Sequence, residues 1–246
     1  MLAPAVLHES PLPAGHPCAG CDVRKTAVCR VLDCDKLATL RGLGNQFRLG
    51  AGQPLFHEGD PASRVYTLTR GSLKLYKLLP DGRRQVTGFM HPGDFIGISV
   101  DDEYAFSAEA LEQSQLCSFP SGRFDGFTEE NGGMERELYR LARHELAAAQ
   151  QQMVLLGRKT AAERLASFFL AFAEREERAT NRAVRFVQLA MSRSDIADYL
   201  GLTKETVSRV LALLKRQRVI RLEAIDCIEI VERDRLEQIA VGDLDA

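Results

Sequence analysis

Four of the six cysteines in this 246-residue chain fall between positions 18 and 34, and their spacing is the first feature capable of chemistry. Cys18, Cys21 and Cys29 form C-x2-C-x7-C beside Gly20 and Asp22, a stretch flexible enough to wrap an inorganic group. Cys117 offers a fourth thiolate from farther along the chain. Four thiolates suit a tetrahedral zinc site, and they equally suit a [4Fe-4S] cluster, in which each iron takes one. Cys34 could replace Cys117 in a local site or be spare. Cys227, in the apolar stretch from Ala224 to Val231, reads as a packed strand residue. His16 lies two residues before Cys18, and with enough thiolates present it stays outside the ligand set.

A second constellation lies toward the C-terminus. Glu205, Ser208 and Arg209, spaced i, i+3, i+4, share one face of a helix near its start. An arginine there can bond both acceptors of guanine, a glutamate can accept from the cytosine amino group, and a serine can serve a base or a phosphate. Thr203 and Lys204 open the same helix. Lys215, Arg216, Arg218 and Arg221 suit phosphates, whose contacts add affinity without sequence choice. From Arg193 to Arg221, seven Lys or Arg stand against three acidic residues, although the net charge of the chain is -2. Positive charge is therefore local, which argues against indiscriminate coating of nucleic acid.

The elements that must position these residues follow from pattern. Ser192 and Asp195 form a capping box that starts a helix near Arg193, and Gly201 ends it. Leu202 and Thr203 then supply a turn and a new cap. The next helix runs from Lys204 to about Gln217, with Val207, Val210, Leu211 and Leu214 as its buried stripe. Together they predict a helix-turn-helix. From Phe47 to Pro120, short apolar runs broken by glycines alternate with period two, as in Ser72-Leu73-Lys74-Leu75, predicting a small antiparallel β-barrel or sandwich. Asp81-Gly82 predicts a type I′ hairpin between strands ending near Leu79 and restarting near Gln85, and Leu116 to Phe119 form a last strand closed by Pro120.

After Gly133 comes a long helix without glycine or proline until Gly157. Its Tyr139, Ala142, Leu146, Ala149, Met153 and Leu156 are spaced 3, 4, 3, 4, 3, the seam of a coiled coil, and predict a homodimer. The alternative is a helix packed on its own domain. A further helix is expected over Ala161 to Glu177. The fold class is α+β: an N-terminal antiparallel β-barrel or sandwich, a long dimerisation helix and a C-terminal helix-turn-helix. The expected divisions are a cysteine-rich segment over 1–36, the roll over 37–132, the helix over 133–158 and the DNA-binding domain over 159–246.

Composition narrows the classes further. With 45% hydrophobic and 27% charged residues and no long uncharged apolar run, neither disorder nor a membrane span is expected. Met1 to Pro17 lacks a basic region ahead of a long apolar one and reads as a loose tail, which implies a cytoplasmic protein. Clustered cysteines in that reducing compartment point to metal or redox chemistry rather than disulfides. No nucleotide-binding glycine loop, catalytic triad or acidic dyad is visible, so an enzyme is not expected. An iron-sulfur electron carrier would leave the helix-turn-helix unexplained.

The stretch from Met191 to Arg209, MSRSDIADYLGLTKETVSR, closely resembles the recognition motif of the CRP/FNR superfamily, with Glu205, Ser208 and Arg209 on its base-reading positions. Gly71-Ser72-Leu73-Lys74 resembles the family's β-roll, Gly93 to Gly97 its glycine-bounded turn, and Lys159 to Phe169 the start of its DNA-binding domain. The resemblance makes the barrel or sandwich an antiparallel β-roll and the C-terminal motif a winged helix-turn-helix. Cyclic-nucleotide binders of this family carry a glutamate after the second glycine of that turn and an Arg-Ser pair downstream. Here Ile98 and Phe106-Ser107 stand instead, so no cyclic nucleotide is expected. The cysteine trio with one distant cysteine before a short Pro-containing connection, here Phe119-Pro120, resembles the oxygen-sensing FNR branch. That resemblance implies a [4Fe-4S] cluster on Cys18, Cys21, Cys29 and Cys117, and a dimer on double-stranded DNA at a TTGAT-N4-ATCAA-like palindrome. It also implies a contact of the turn Pro80 to Arg84 with RNA polymerase. A zinc or thiol-redox sensor on the same regulator is the alternative.

Overall fold

Alternating side chains build the first half of the protein, whose computed structural model describes residues 12, 15–16, 18–99 and 101–243. Most of the tail expected over Met1–Pro17, and the last three residues of the C-terminal domain, lie outside the described residues. Strands β1 (Asn45–Leu49), β2 (Pro54–Phe56), β3 (Arg64–Arg70), β4 (Leu73–Leu78), β5 (Arg84–Met90), β6 (Phe95–Ile96), β7 (Ser107–Ala110) and β8 (Ser114–Pro120) form two four-stranded antiparallel sheets. Their orders are β1-β8-β3-β6 and β2-β7-β4-β5. Phe56, Tyr66, Leu68, Leu73, Ile96 and Leu116 fill the space between them, giving the expected roll.

On β3 and β8 the residues between those inward positions face the other way. Val65 and Phe119 there join a second core with Leu37 and Leu40 of α1 (Cys34–Leu43), Phe124 and Phe127 of α2 (Ser121–Glu129), and Met134. Val28 and Leu32, in and just after the 3-10 turn Val28–Val31, complete it. A cysteine-bearing segment is thus packed on the outer face of one roll sheet. At Gly93, with φ of 100°, a Cβ would come within 2.9 Å of Thr26 Oγ1, so the absent side chain lets the roll turn approach this segment.

The hairpin after β4 differs from the expected type I′ turn. Gly82 has φ of 83°, but Asp81 is not among the residues with positive φ. Leu79 N–H donates to Arg83 O at 2.8 Å and Gly82 N–H to Leu79 O at 2.9 Å, enclosing a three-residue loop with glycine in the left-handed position. Pro80 explains it: as the residue flanking a type I′ turn it would have to donate an N–H it lacks, whereas its φ near about -65° suits the first central position of the turn from Leu79 to Gly82.

Helix α3 (Gly132–Arg158) has the expected span. Tyr139, Leu146 and Met153 of its seam are 67%, 61% and 71% exposed, Ala142 and Ala149 are exposed, and Leu156 is half-buried. Among the described residues, most of the stripe is exposed. The chain divides into two units, one of residues 1–77 and 87–145, the other of 78–86 and 146–246. In the second unit α4 (Ala161–Thr180), β9 (Phe186–Gln188), α5 (Arg193–Leu200), α6 (Lys204–Arg216), β10 (Ile220–Leu222), β11 (Cys227–Ile230) and α7 (Arg233–Val241) surround a core that includes Leu165, Phe169, Leu200, Val207 and Leu214. The sheet order β10-β11-β9 places a small wing beside the two helices of the motif.

Candidate cysteine cavity and nucleic-acid interface

Strand geometry decides where Cys117 points. In β8 it stands opposite Gln46 of β1 and Thr67 of β3, on the same outward face as Phe119. The wrapped segment brings Cys18, Cys21 and Cys29 to that face, and all four line one cavity with Arg24, Arg41, Gln46, Thr67 and Thr69. Cys34, the first residue of α1, does not line it. Nor does Cys227, on the wing. Among the described residues, no three His, Cys, Asp or Glu side chains converge as ligands of a single ion.

The segment is fastened from several sides. Arg24 Nη1 donates to Cys29 O at 2.9 Å and Nη2 to Leu32 O at 2.6 Å, closing the turn that carries Cys29. Arg70 of β3 bonds Asp22 at 2.8 Å. Arg30, next to Cys29, pairs with the buried carboxylate of Glu137 on α3 at 2.9 Å. His16 Nδ1 accepts from Cys18 N–H at 3.0 Å, so its Nε2 carries the proton, and that atom is buried without a partner among the described residues.

Burial makes Cys18, Cys29 and Cys117 hard to ionise. It lifts Cys29 to about 12, against the pull of the Arg24 guanidinium, and it raises Cys18 with help from neighbouring Cys21. Cys117 is raised by burial too, opposed by a hydrogen bond with Gln46 and by Arg41. A ligand that takes thiolates must therefore displace protons, so occupation of the cavity is a strongly coupled event.

In the second unit the helix caps set the reading helix. Ser192 Oγ accepts from Asp195 N–H at 3.1 Å, Gly201 at φ of 61° ends α5, and Thr203 caps α6 by accepting from Thr206 N–H at 3.1 Å. Arg164 Nη1 and Nη2 donate to Leu200 O and Leu156 O at 2.8 and 2.9 Å, satisfying the ends of two helices. Glu205 and Arg209 are exposed on one face of α6 with half-buried Ser208 between them, and Thr203, Lys204, Lys215 and Arg216 are exposed as well. Arg209 bonds Thr206 Oγ1 at 3.1 Å, and among the described residues no ion pair joins it to Glu205. Thr206 thus orients both cap and reading arginine, a role its sequence position did not signal. Arg221, expected to be free for phosphate, is instead held with Arg185 by the buried Glu229. Arg84, from the hairpin stretch that belongs to this unit, pairs with Asp195 and Asp198 at 3.0 and 2.9 Å.

Two family models match the chain in succession. Residues 46–131 match the family model of the cyclic nucleotide-binding domain, and residues 163–239 that of the Crp-like helix-turn-helix domain. The nitrogen fixation regulation protein FixK of Bradyrhizobium diazoefficiens is 43% identical over 85% of this chain and 88% of that protein. The transcriptional activator protein FnrL of Cereibacter sphaeroides is 35% identical over 97% of each. Among solved structures, FixK2 from Bradyrhizobium japonicum aligns with a TM-score of 0.73 at 34% identity, covering 80% of this chain and 96% of that one. With both domain models matched in order and such relatives aligned along nearly its whole length, the chain belongs to the Crp/Fnr family and is a DNA-binding transcription regulator, not an enzyme.

Proposed function

We propose that this regulator senses oxygen through a [4Fe-4S] cluster held by Cys18, Cys21, Cys29 and Cys117. Its loaded homodimer binds a TTGAT-N4-ATCAA-like palindrome and controls anaerobic and microaerobic genes. The observation that carries the reading is the meeting of those four thiols, three from a wrapped segment and one from a roll strand, in one cavity. Their donor chemistry fits the group: four sulfurs, one for each of four irons, line a single cavity together with Arg24 and Arg41. Bound there, the cluster supplies chemistry that reacts with oxygen.

The chain's own part is coupling. Ligation adds free energy only to the state in which the Cys18–Cys29 segment is docked on Cys117, so it shifts the population toward that state. Arg30 and Glu137 tie the same segment to α3, whose uncovered stripe of Tyr139, Ala142, Leu146, Ala149 and Met153 fits a second copy. Each subunit then presents Glu205, Ser208 and Arg209 to one half-site, which a two-fold dimer repeats in inverted order. Engagement of Arg84 narrows the proposed polymerase contact to the exposed tip Pro80–Arg83. The expectation of no cyclic nucleotide is supported inside the roll by the rings of Phe56 and Tyr104, which stack at 3.7 Å, and by Ser107 Oγ, which accepts from Glu58 N–H.

The test is purification under strict anaerobiosis with iron, sulfide and zinc analysis, a visible spectrum and palindrome binding, repeated after air. About four irons per chain, bleaching in air as binding falls, is the expected result. Cys117→Ser should lose both iron and tight binding. A colourless protein with one zinc, indifferent to air, would sink the oxygen sensor and leave a zinc-structured regulator.

A further inference from the structure

We infer that Arg41 is the receptor for the sulfur core of the bound cluster, donating an N–H···S hydrogen bond and a counter-charge that raise the cluster's reduction potential. This rests on the cluster reading above. Arg41 lies in the last turn of α1, and its side chain lines the cavity beside Cys18, Cys21, Cys29 and Cys117. Its Nη1 donates to Gly44 O at 3.2 Å, which anchors one edge of the guanidinium. Its Nε is shut off from solvent and has no hydrogen-bond partner among the described residues.

A buried donor on a charged group is costly to leave unpaired, and folded proteins satisfy almost all such groups. The other cavity arginine does not offer the same opening, since both Nη atoms of Arg24 are committed to the carbonyls of Cys29 and Leu32. Arg24 holds the turn, while Arg41 has a donor to give. Four thiolates around a [4Fe-4S] core leave the assembly negative, and a fixed cation at low dielectric favours it. Hydrogen bonds to sulfur and net local charge are what set cluster potentials, the more reduced and more negative form gaining most from a donor.

The experiment reconstitutes the full-length native chain, Arg41→Gln and Arg41→Lys anaerobically with ferrous iron and sulfide. It measures iron and sulfide per chain, the midpoint of one-electron reduction, and thermal melting of the cluster-free forms. The expected result is equal loading with a reduction equilibrium constant about tenfold lower in Arg41→Gln, a fall of about 59 mV for one electron. Arg41→Lys, which keeps the charge but not the Nε donor, should fall between. Failure of Arg41→Gln to load while its cluster-free form melts as the native one does, with loading restored in Arg41→Lys, also supports the role. Unchanged loading and midpoint in Arg41→Gln overturns it and leaves the cluster reading standing, as does early melting of both variants, which would make Arg41 a fold residue. A native chain that takes up no iron and sulfide overturns both.

Discussion

Replacing Glu137 with glutamine should loosen the cysteine turn from α3. Glu137 is 4% exposed, and its carboxylate accepts four charge-assisted hydrogen bonds: from Arg30 Nε and Nη2 at 2.9 and 3.0 Å, and from Arg140 Nε and Nη2 at 3.1 and 2.7 Å. Removing one partner of a buried pair costs about 3–5 kcal/mol, whereas an exposed pair contributes about 0–1 kcal/mol. Here the carboxylate is buried but the two arginine side chains remain 36% and 42% exposed, so water recovers part of their solvation. Glutamine also keeps the shape and one accepting oxygen. The expected loss lies between those limits, at about 2 kcal/mol, which is roughly a 30-fold rise in the local opening constant. Hydrogen exchange read by mass spectrometry on peptides covering Val28–Val31 and the first half of α3 measures it. Local peptides are needed because one unfolding midpoint would blend two units.

Acid supplies a second arm of the same test. Burial pulls the Glu137 carboxyl upward, but the bonds from Arg140 and Arg30 outweigh it and hold the group below its ordinary 4.5. A depressed folded value means that the contribution is complete above the unfolded pKa and is lost as pH falls through the folded one. After correction for intrinsic exchange, the native chain should lose protection in these peptides below about pH 4.5, while Glu137→Gln should not, and the two should converge. Equal protection of the two proteins at neutral pH would refute the reasoning.

Two further outcomes are expected. Arg209→Ala should cost about 1–3 kcal/mol of discrimination at one guanine of each half-site, read by fluorescence anisotropy on native and base-changed palindromes; a uniform loss on all sequences would reassign Arg209 to phosphate. Leu146→Glu places a charge on the uncovered stripe of each subunit and should shift the protein to monomer in analytical ultracentrifugation, with an unaltered thermal melt of the monomer; an intact dimer would move the interface off α3.

What the sequence made legible was local. The capping box at Ser192, the left-handed Gly201, the period of α6 and the length of α3 are written in residues within a few positions of each other, and the structure has them where the pattern put them. The short helices α1 and α2 went unread because each buries only two large side chains, too few to establish a period. The hairpin type was misread because Asp-Gly was weighed without the proline before it. Partners set by tertiary contact or strand pairing left no trace: Arg30 and Glu137 are 107 residues apart, and Glu229 meets Arg221 only through the β10–β11 register. The cysteines fall between these cases. Their spacing and the family resemblance named a candidate set, but only the register of β1, β8 and β3 turns Cys117 toward the segment, and only the placement of α1 keeps Cys34 from lining the cavity. The same register brings Gln46 and Thr67 to the cavity, and α1 brings Arg41. The polar surroundings that would tune a bound group are therefore a product of strand pairing and helix docking, which is why candidate cysteines could be proposed from the sequence and their surroundings could not.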